Sequence, residues 1–271
     1  MEPKNKQLLE ISKRLLELKD NRYALEKVSI GNPLQVVATF LFTKSTKTFR
    51  AIFILCAEGY GQDAMILSRS IFENYVHLAY IDKKDSSNRA LLFITYGVID
   101  NYKKTEKIKE FENVKKYYGR NLQDEFIKRW GKGKTEAEEI RNTECAKIIK
   151  TFGKDKIDKN SWSLLSLRNM IKQIGDNRKE TEEIYYEQVY WWASQFCHPD
   201  INCSNDYFSE EENNIIITDL PNDKNVETAL ILGLEHYFMI AKITDKIIGL
   251  NLEKELDDLL IEFKTCVNES S

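Results

Sequence analysis

The chain has 271 residues, of which 42% are hydrophobic and 31% are charged, and it contains only 11 Gly and 4 Pro. This composition excludes a disordered chain, a collagen-like repeat and a small disulfide-stapled scaffold. A chain of this length buries roughly 70 to 75% of the surface that its unfolded form exposes, so we expect one helical domain over residues 1–271. The net charge of -3 excludes a protein that coats polyanions with its whole surface, although it permits a local basic patch.

The N-terminal third of the chain is predicted to form three helices. Apolar residues recur at helical spacing over 8–18, and Gly31-Asn32-Pro33 is expected to stop this helix. Residues 34–57 predict either one long helix or two helices joined in the middle, where Thr, Lys and Ser are frequent. Gly residues at 59 and 61 end this segment, and 62–81 is then apolar on nearly all sides. We therefore expect 62–81 to be a central helix that other helices enclose.

The remainder predicts further helices and little β-structure. Only Ile215, Ile216 and Ile217 resemble a strand, which is too short to build a sheet of its own. The predicted fold is an all-α bundle of about eight to ten helices, with at most a minor β-hairpin near 206–218. The later helices are expected at 88–118, 135–151, 164–174, 181–197, 225–249 and 252–266.

Features of targeting and redox chemistry favour a cytoplasmic protein. The first residues lead into an amphipathic helix without the apolar run of a signal peptide. The longest apolar stretch, 229–250, carries five charged or ionisable residues, which are costly at membrane depth, so no membrane partner is expected. The five cysteines are odd in number and form no Cys-x-x-Cys pair, as expected of reduced thiols.

Charge is segregated along the chain. Residues 103–134 contain eleven Lys or Arg against five Asp or Glu, whereas 200–227 contain one Lys against eight acids. The basic segment either holds a phosphate backbone or is a solvated helix face. The two segments could also meet between subunits, which would give a homodimer.

Common motifs for cofactors and metals are missing from the sequence. It contains no dinucleotide-binding glycine motif, no P-loop, no His-Glu-x-x-His and no Gly-x-Ser-x-Gly. Cys197, His198 and Cys203 lie close together, but a structural zinc site needs four ligands and no fourth is nearby. We therefore predict no metal and no cofactor.

Two rows of polar side chains are the candidate sites. Arg69, Glu73 and His77 follow at i, i+4 and i+8, so they share one stripe of the predicted central helix. This stripe is either an ion pair that is buried or lines a cleft, or a solvated face. The second row, Tyr186, Tyr190, Ser194 and His198, ends at Pro199, where the C-terminus of a helix favours a charged imidazolium. Neighbouring aromatic residues also permit a simple core helix there.

These motifs resemble an uncharacterised all-helical prokaryotic family of unknown function. That family is marked by an Arg-x-x-x-Glu helix, a Ser-Trp loop and a Tyr-x-x-x-Ser-x-x-x-His-Pro helix end, and the similarity covers residues 34–203. The C-terminal helices, 225–268, are then expected to pack on this core. The resemblance implies a polar centre made of Arg69, Glu73, Trp162, Tyr190, Ser194 and His198. His77 does not belong to the family pattern and is a candidate only because it shares a helix stripe with Arg69 and Glu73.

The architecture also resembles the HEPN superfamily, many of whose members are dimeric, metal-independent ribonucleases in toxin and antiphage systems. In those ribonucleases the site is an Arg-x(4-6)-His motif, and this chain departs from it. Seven residues separate Arg69 from His77, and no Arg lies four to six residues before His198. A composite site with Arg69 and His198 from different helices would restore the pair.

Two hypotheses follow. The first is an RNA-cleaving defence effector in which His198 is the general acid or base, Arg69 stabilises phosphorane charge and Glu73 orients either one. Trp162, Tyr190, Ser194 and His77 would help to bind the substrate. The second is a non-catalytic, homodimeric module that binds a protein partner or a small ligand, with the polar centre as a structural network.

Overall fold

The computed structural model describes residues 2–22, 31–109, 134–152, 161–174 and 219–268, most of 204–217 and scattered positions between 183 and 196. Within these residues the chain forms eight helices and one antiparallel β-hairpin, which confirms the predicted fold class. The elements are α1 (Pro3–Arg22), α2 (Pro33–Ala57), α3 (Gly61–Lys83), α4 (Ser86–Lys109), α5 (Lys134–Phe152), α6 (Leu167–Ile174), β1 (Phe208–Glu211), β2 (Asn214–Ile217), α7 (Val226–Ile248) and α8 (Glu253–Asn268).

Helix α3 is the centre of the bundle, as its apolar sequence predicts. Helices α2, α4, α6 and α7 all pack against it. Over residues 68–81 every side chain is buried except those of Arg69, Ser70, Glu73 and His77. These four partly exposed residues, Arg69, Ser70, Glu73 and His77, are the polar window of α3.

Helix α2 is one continuous helix, which settles the alternative left open by its sequence. Asn32 caps it by accepting a hydrogen bond from the backbone N–H of Gln35 at 3.2 Å, and Pro33 occupies the first turn. Asn32 and Pro33 thus begin α2, whereas the sequence suggested that they stop α1. The polar middle does not break α2 because Thr46 Oγ1 is buried and bonded both to Phe42 O at 2.9 Å and to the hydroxyl of Tyr237 at 2.8 Å.

Helix α7 packs on both α2 and α3 and closes the core. Gly233 faces α2 at this contact, where a Cβ would meet the side chains of Ile52 and Phe49 at 3.4 Å, an ordinary van der Waals distance. Tyr237 then stacks on Phe42 and Phe49, with ring centroids 5.7 and 4.8 Å apart. Helix α8 lies further out, against α1 and α7.

Helix α6 begins later than the sequence predicts. Leu164, the expected first residue, has a φ of 61° and belongs to the preceding turn. The helix instead follows Ser166, whose hydroxyl accepts the N–H of Asn169 at 3.3 Å. The turn over residues 161–166 and helix α6 lie beside α3, which brings Trp162 to the polar window.

Candidate functional site

Arg69 and Glu73 form the predicted ion pair in the polar window of α3. Arg69 Nε donates to Glu73 Oε1 at 3.0 Å, one helical turn apart, and the side chains are 25% and 34% exposed. The pair is neither sealed in the core nor fully solvated, so it lines an accessible part of the surface. An i, i+4 pair of this kind stabilises a helix by only about 0.3–0.5 kcal/mol, so folding makes little use of it.

His77, one turn further along the row, is held by Trp162. The indole Nε1–H donates to His77 Nδ1 at 3.0 Å across 85 residues of sequence, and Trp162 is only 5% exposed. Because Nδ1 accepts this bond, the ring proton lies on Nε2. The turn that carries Trp162 therefore meets the α3 row at His77, a residue that the family resemblance does not include.

The imidazole of His77 is neutral at physiological pH. Burial lowers its pKa from the usual 6.5 to about 4, the Glu73 carboxylate opposes this change, and the Lys44 ammonium adds to it. The indole bond acts in the same direction, since protonation of Nδ1 would break it. A neutral ring with its proton on Nε2 and Nδ1 engaged can donate a hydrogen bond to a ligand, but it has no lone pair available to act as a general base.

Aromatic rings surround His77 and Trp162. Phe93 lies edge-on to the Trp162 ring at 5.2 Å and 6.2 Å from the ring of His77, and Tyr80 lies edge-on to Trp162 at 5.8 Å. The guanidinium of Arg89 stacks 3.8 Å above the ring of Tyr80 and donates to the backbone carbonyl of the same residue. These contacts fix the orientation of the indole and, through it, of the imidazole.

Helix α2 contributes a cation on the other side of the row. Lys44 Nζ donates to Asn74 Oδ1 at 3.1 Å, and Asn74 Nδ2 donates to the buried hydroxyl of Ser45 at 3.1 Å. This chain of bonds couples α2 to α3 beside Glu73 and His77. The described site therefore presents one carboxylate, one neutral donor and cationic groups from two helices.

The sequence missed Lys44 and Phe93 as members of this site. Lys44 lies in the polar middle of 34–57, where the sequence predicts only a possible break between two helices. Phe93 lies in an ordinary amphipathic pattern. Neither carries a local signal, since both reach the site by packing between helices.

Several predicted features lie outside the described residues. These include Tyr190, Ser194 and His198, so the structure does not address whether His198 meets Arg69. Most of the basic segment also lies there, as do Cys197 and Cys203. Described positions between 183 and 196 are helical, in agreement with the helix predicted at 181–197.

Two surface cavities in the described structure lie away from the polar window. One of about 470 Å³ is at the α7–α8 junction and is lined by Lys242, Lys246 and Asn251 among others. The other, of about 400 Å³, lies between the same helices and includes Met239 and Phe263. Neither is lined by a residue of α3. Among the described residues, no cluster of His, Cys, Asp and Glu suits a metal ion, and no helix is long and apolar enough to cross a membrane.

Comparison with known proteins identifies the family to which this chain belongs. The model of a family of unknown function, DUF5677, matches residues 35–215, about two thirds of the chain. A search of curated proteins and a search of solved structures each gave no match. The matched span agrees with the 34–203 expected from the motifs and includes the whole polar window, the Trp162 turn and His198. The chain therefore belongs to the DUF5677 family, whose function is unknown.

Proposed function

We propose that this protein is a HEPN-like cytoplasmic effector that binds RNA at the polar window of α3 and cleaves it without a metal ion, as in antiphage defence or a toxin system. The observation that supports this best is the partly exposed Arg69–Glu73 pair, which lies in one row with the neutral donor His77 and beside Lys44. A guanidinium and an ammonium at one opening favour an anionic ligand such as a backbone phosphate.

The three histidines of the chain have unequal capacity for acid–base chemistry. His236 is 0% exposed, and its ring packs edge-on against Phe72 at 4.9 Å. His77 has Nδ1 engaged and a pKa of about 4. By elimination, we assign the general acid or base to His198. As a base it would take the proton of the ribose 2′-hydroxyl that attacks the phosphorus, and as an acid it would protonate the 5′ oxygen that leaves. Arg69 would stabilise the phosphorane and Glu73 would orient the pair.

Incubation of the purified protein with total RNA, with and without EDTA, tests this assignment. We expect cleavage that EDTA does not inhibit. His198→Ala should lower the rate about 100-fold or more, the usual contribution of a positioned acid or base, and Arg69→Ala should also abolish cleavage. Arg14→Ala is the matched control, because Arg14 pairs with Glu262 of α8 at 2.7 Å, on a different surface from α3. Intact RNA with the wild type, or full activity in His198→Ala, would refute the proposal.

A second candidate is a non-catalytic homodimeric module that binds a protein partner. The bonds from Trp162 to His77 and from Lys44 to Asn74 support it, because they join α2, α3 and the Trp162 turn in one network within the protein. In this case the wild type would leave RNA intact. An effector would instead cleave RNA, and its Arg69→Ala variant would lose cleavage while its circular dichroism and melting temperature stay near those of the wild type. Light scattering after size exclusion tests the dimer.

A further inference from the structure

An aromatic and basic stripe runs along the exposed face of α2. Phe40, Lys44 and Lys47 follow at i, i+4 and i+7, so they share one side of the helix, and all three are exposed. Phe40 retains 53% of its accessible surface. Helix α2 contains no Asp or Glu, and within the described residues neither lysine forms an ion pair.

This stripe continues into the polar window of α3. The ring of Phe40 lies 6.5 Å from that of Phe93, which lies 6.2 Å from the ring of His77. Lys44 reaches Asn74 of α3 at 3.1 Å. A ligand that occupies the window would therefore meet Phe40 and the two lysines where it extends across α2.

The chemistry of this surface favours single-stranded RNA. A single exposed phenylalanine is unremarkable, but here it adjoins the Arg69 row and two lysines that form no ion pair with the acidic residues described in the structure. Proteins bind single strands by stacking unpaired bases on aromatic rings while basic side chains follow the phosphates. The bases of a duplex are already stacked on one another and are not accessible to a side chain.

We propose that Phe40 is a stacking platform for an unpaired base of single-stranded RNA, and that Lys44 and Lys47 hold the adjoining phosphates. This inference rests on the proposed function, since it extends the same RNA site from α3 onto α2. It assigns a binding role to a residue that lies outside both predicted rows.

Fluorescence anisotropy with a labelled 2′-O-methyl RNA of about 12 nucleotides tests the proposal, because the blocked 2′ oxygen prevents cleavage during the titration. We expect Phe40→Ala to weaken binding roughly 5- to 150-fold, the range for loss of one stacked base, and Phe40→Trp to retain it. Lys47→Ala should reduce the slope of log affinity against log salt by about 0.7. Ile261→Ala removes a 64% exposed apolar side chain from α8, which packs on α1 and α7, and should have no effect.

The outcomes separate this inference from the function on which it rests. Failure of the wild type to bind any RNA would refute both. If the wild type binds RNA and Phe40→Ala binds it equally well, the stacking platform is refuted while the α3 site stands. Equal affinity for a duplex of the same sequence would also refute it. Conversion of a dimer to a monomer by Phe40→Ala, seen by light scattering, would assign the residue to a contact between copies instead.

Discussion

Replacing His77 with Asn tests whether Trp162 and burial hold the imidazole neutral. The Asn amide oxygen can still accept the indole N–H, but the side chain does not titrate. In the folded protein the pKa of His77 is about 4, and its usual value in an unfolded chain is 6.5. The two proteins should therefore differ in how their free energy of unfolding depends on pH.

The expected magnitude follows from proton binding. Between about pH 4 and pH 6.5 the unfolded chain binds a proton at His77 and the folded protein does not, so acid favours unfolding. The stability that neutral His77 contributes is complete above about pH 6.5 and decreases by up to about 1.36 kcal/mol per pH unit below it. From pH 7 to pH 5, the wild type should lose about 2 kcal/mol more than His77→Asn.

Urea unfolding followed by far-ultraviolet circular dichroism at about pH 7, 6 and 5 measures this difference. The comparison requires that the slope of the free energy of unfolding against urea concentration is the same for both proteins. The carboxylates and the other two histidines are common to both, so their titration cancels. Parallel losses of stability in the two proteins would show that His77 keeps an ordinary pKa and is not a fixed neutral donor.

Three further substitutions or reactions test the packing. Trp162→Phe removes the donor to His77 and should lower the free energy of unfolding by about 1 kcal/mol in urea titrations at neutral pH; an unchanged value would contradict the bond. Gly61→Ala should lower the melting temperature sharply, because the new Cβ would lie 2.3 Å from the backbone oxygen of Lys224; a normal melting curve would exclude this close approach. Burial raises the pKa of Cys56 to about 12, so a thiol reagent should label it only after unfolding, and rapid labelling of native protein, located by mass spectrometry, would show that it is accessible.

Much of the fold was predictable because helices are encoded by local spacing. The apolar repeat of 8–18 and the nearly continuous apolar run of 62–81 gave α1 and the enclosed helix α3. Boundaries that depend on individual backbone angles were less accurate. Leu164 adopts a left-handed conformation and delays α6, while Asn32 caps the following helix and does not end the preceding one. The conformation of Leu164 depends on how its turn packs, which an apolar pattern does not record. The Asn32 cap is a local signal, but Gly-Asn-Pro fits the end of one helix as well as the start of the next.

The sequence by itself determined the row of Arg69, Glu73 and His77, because a spacing of four residues places side chains on one face of any α-helix. Only the tertiary structure decided what this row can do. The bond from Trp162 joins residues 85 positions apart, and burial beside it sets the charge of His77. Lys44 and Phe40 likewise reach the site from α2. Protonation and ligand contacts depend on distances between helices, and these follow from the packing of the whole core.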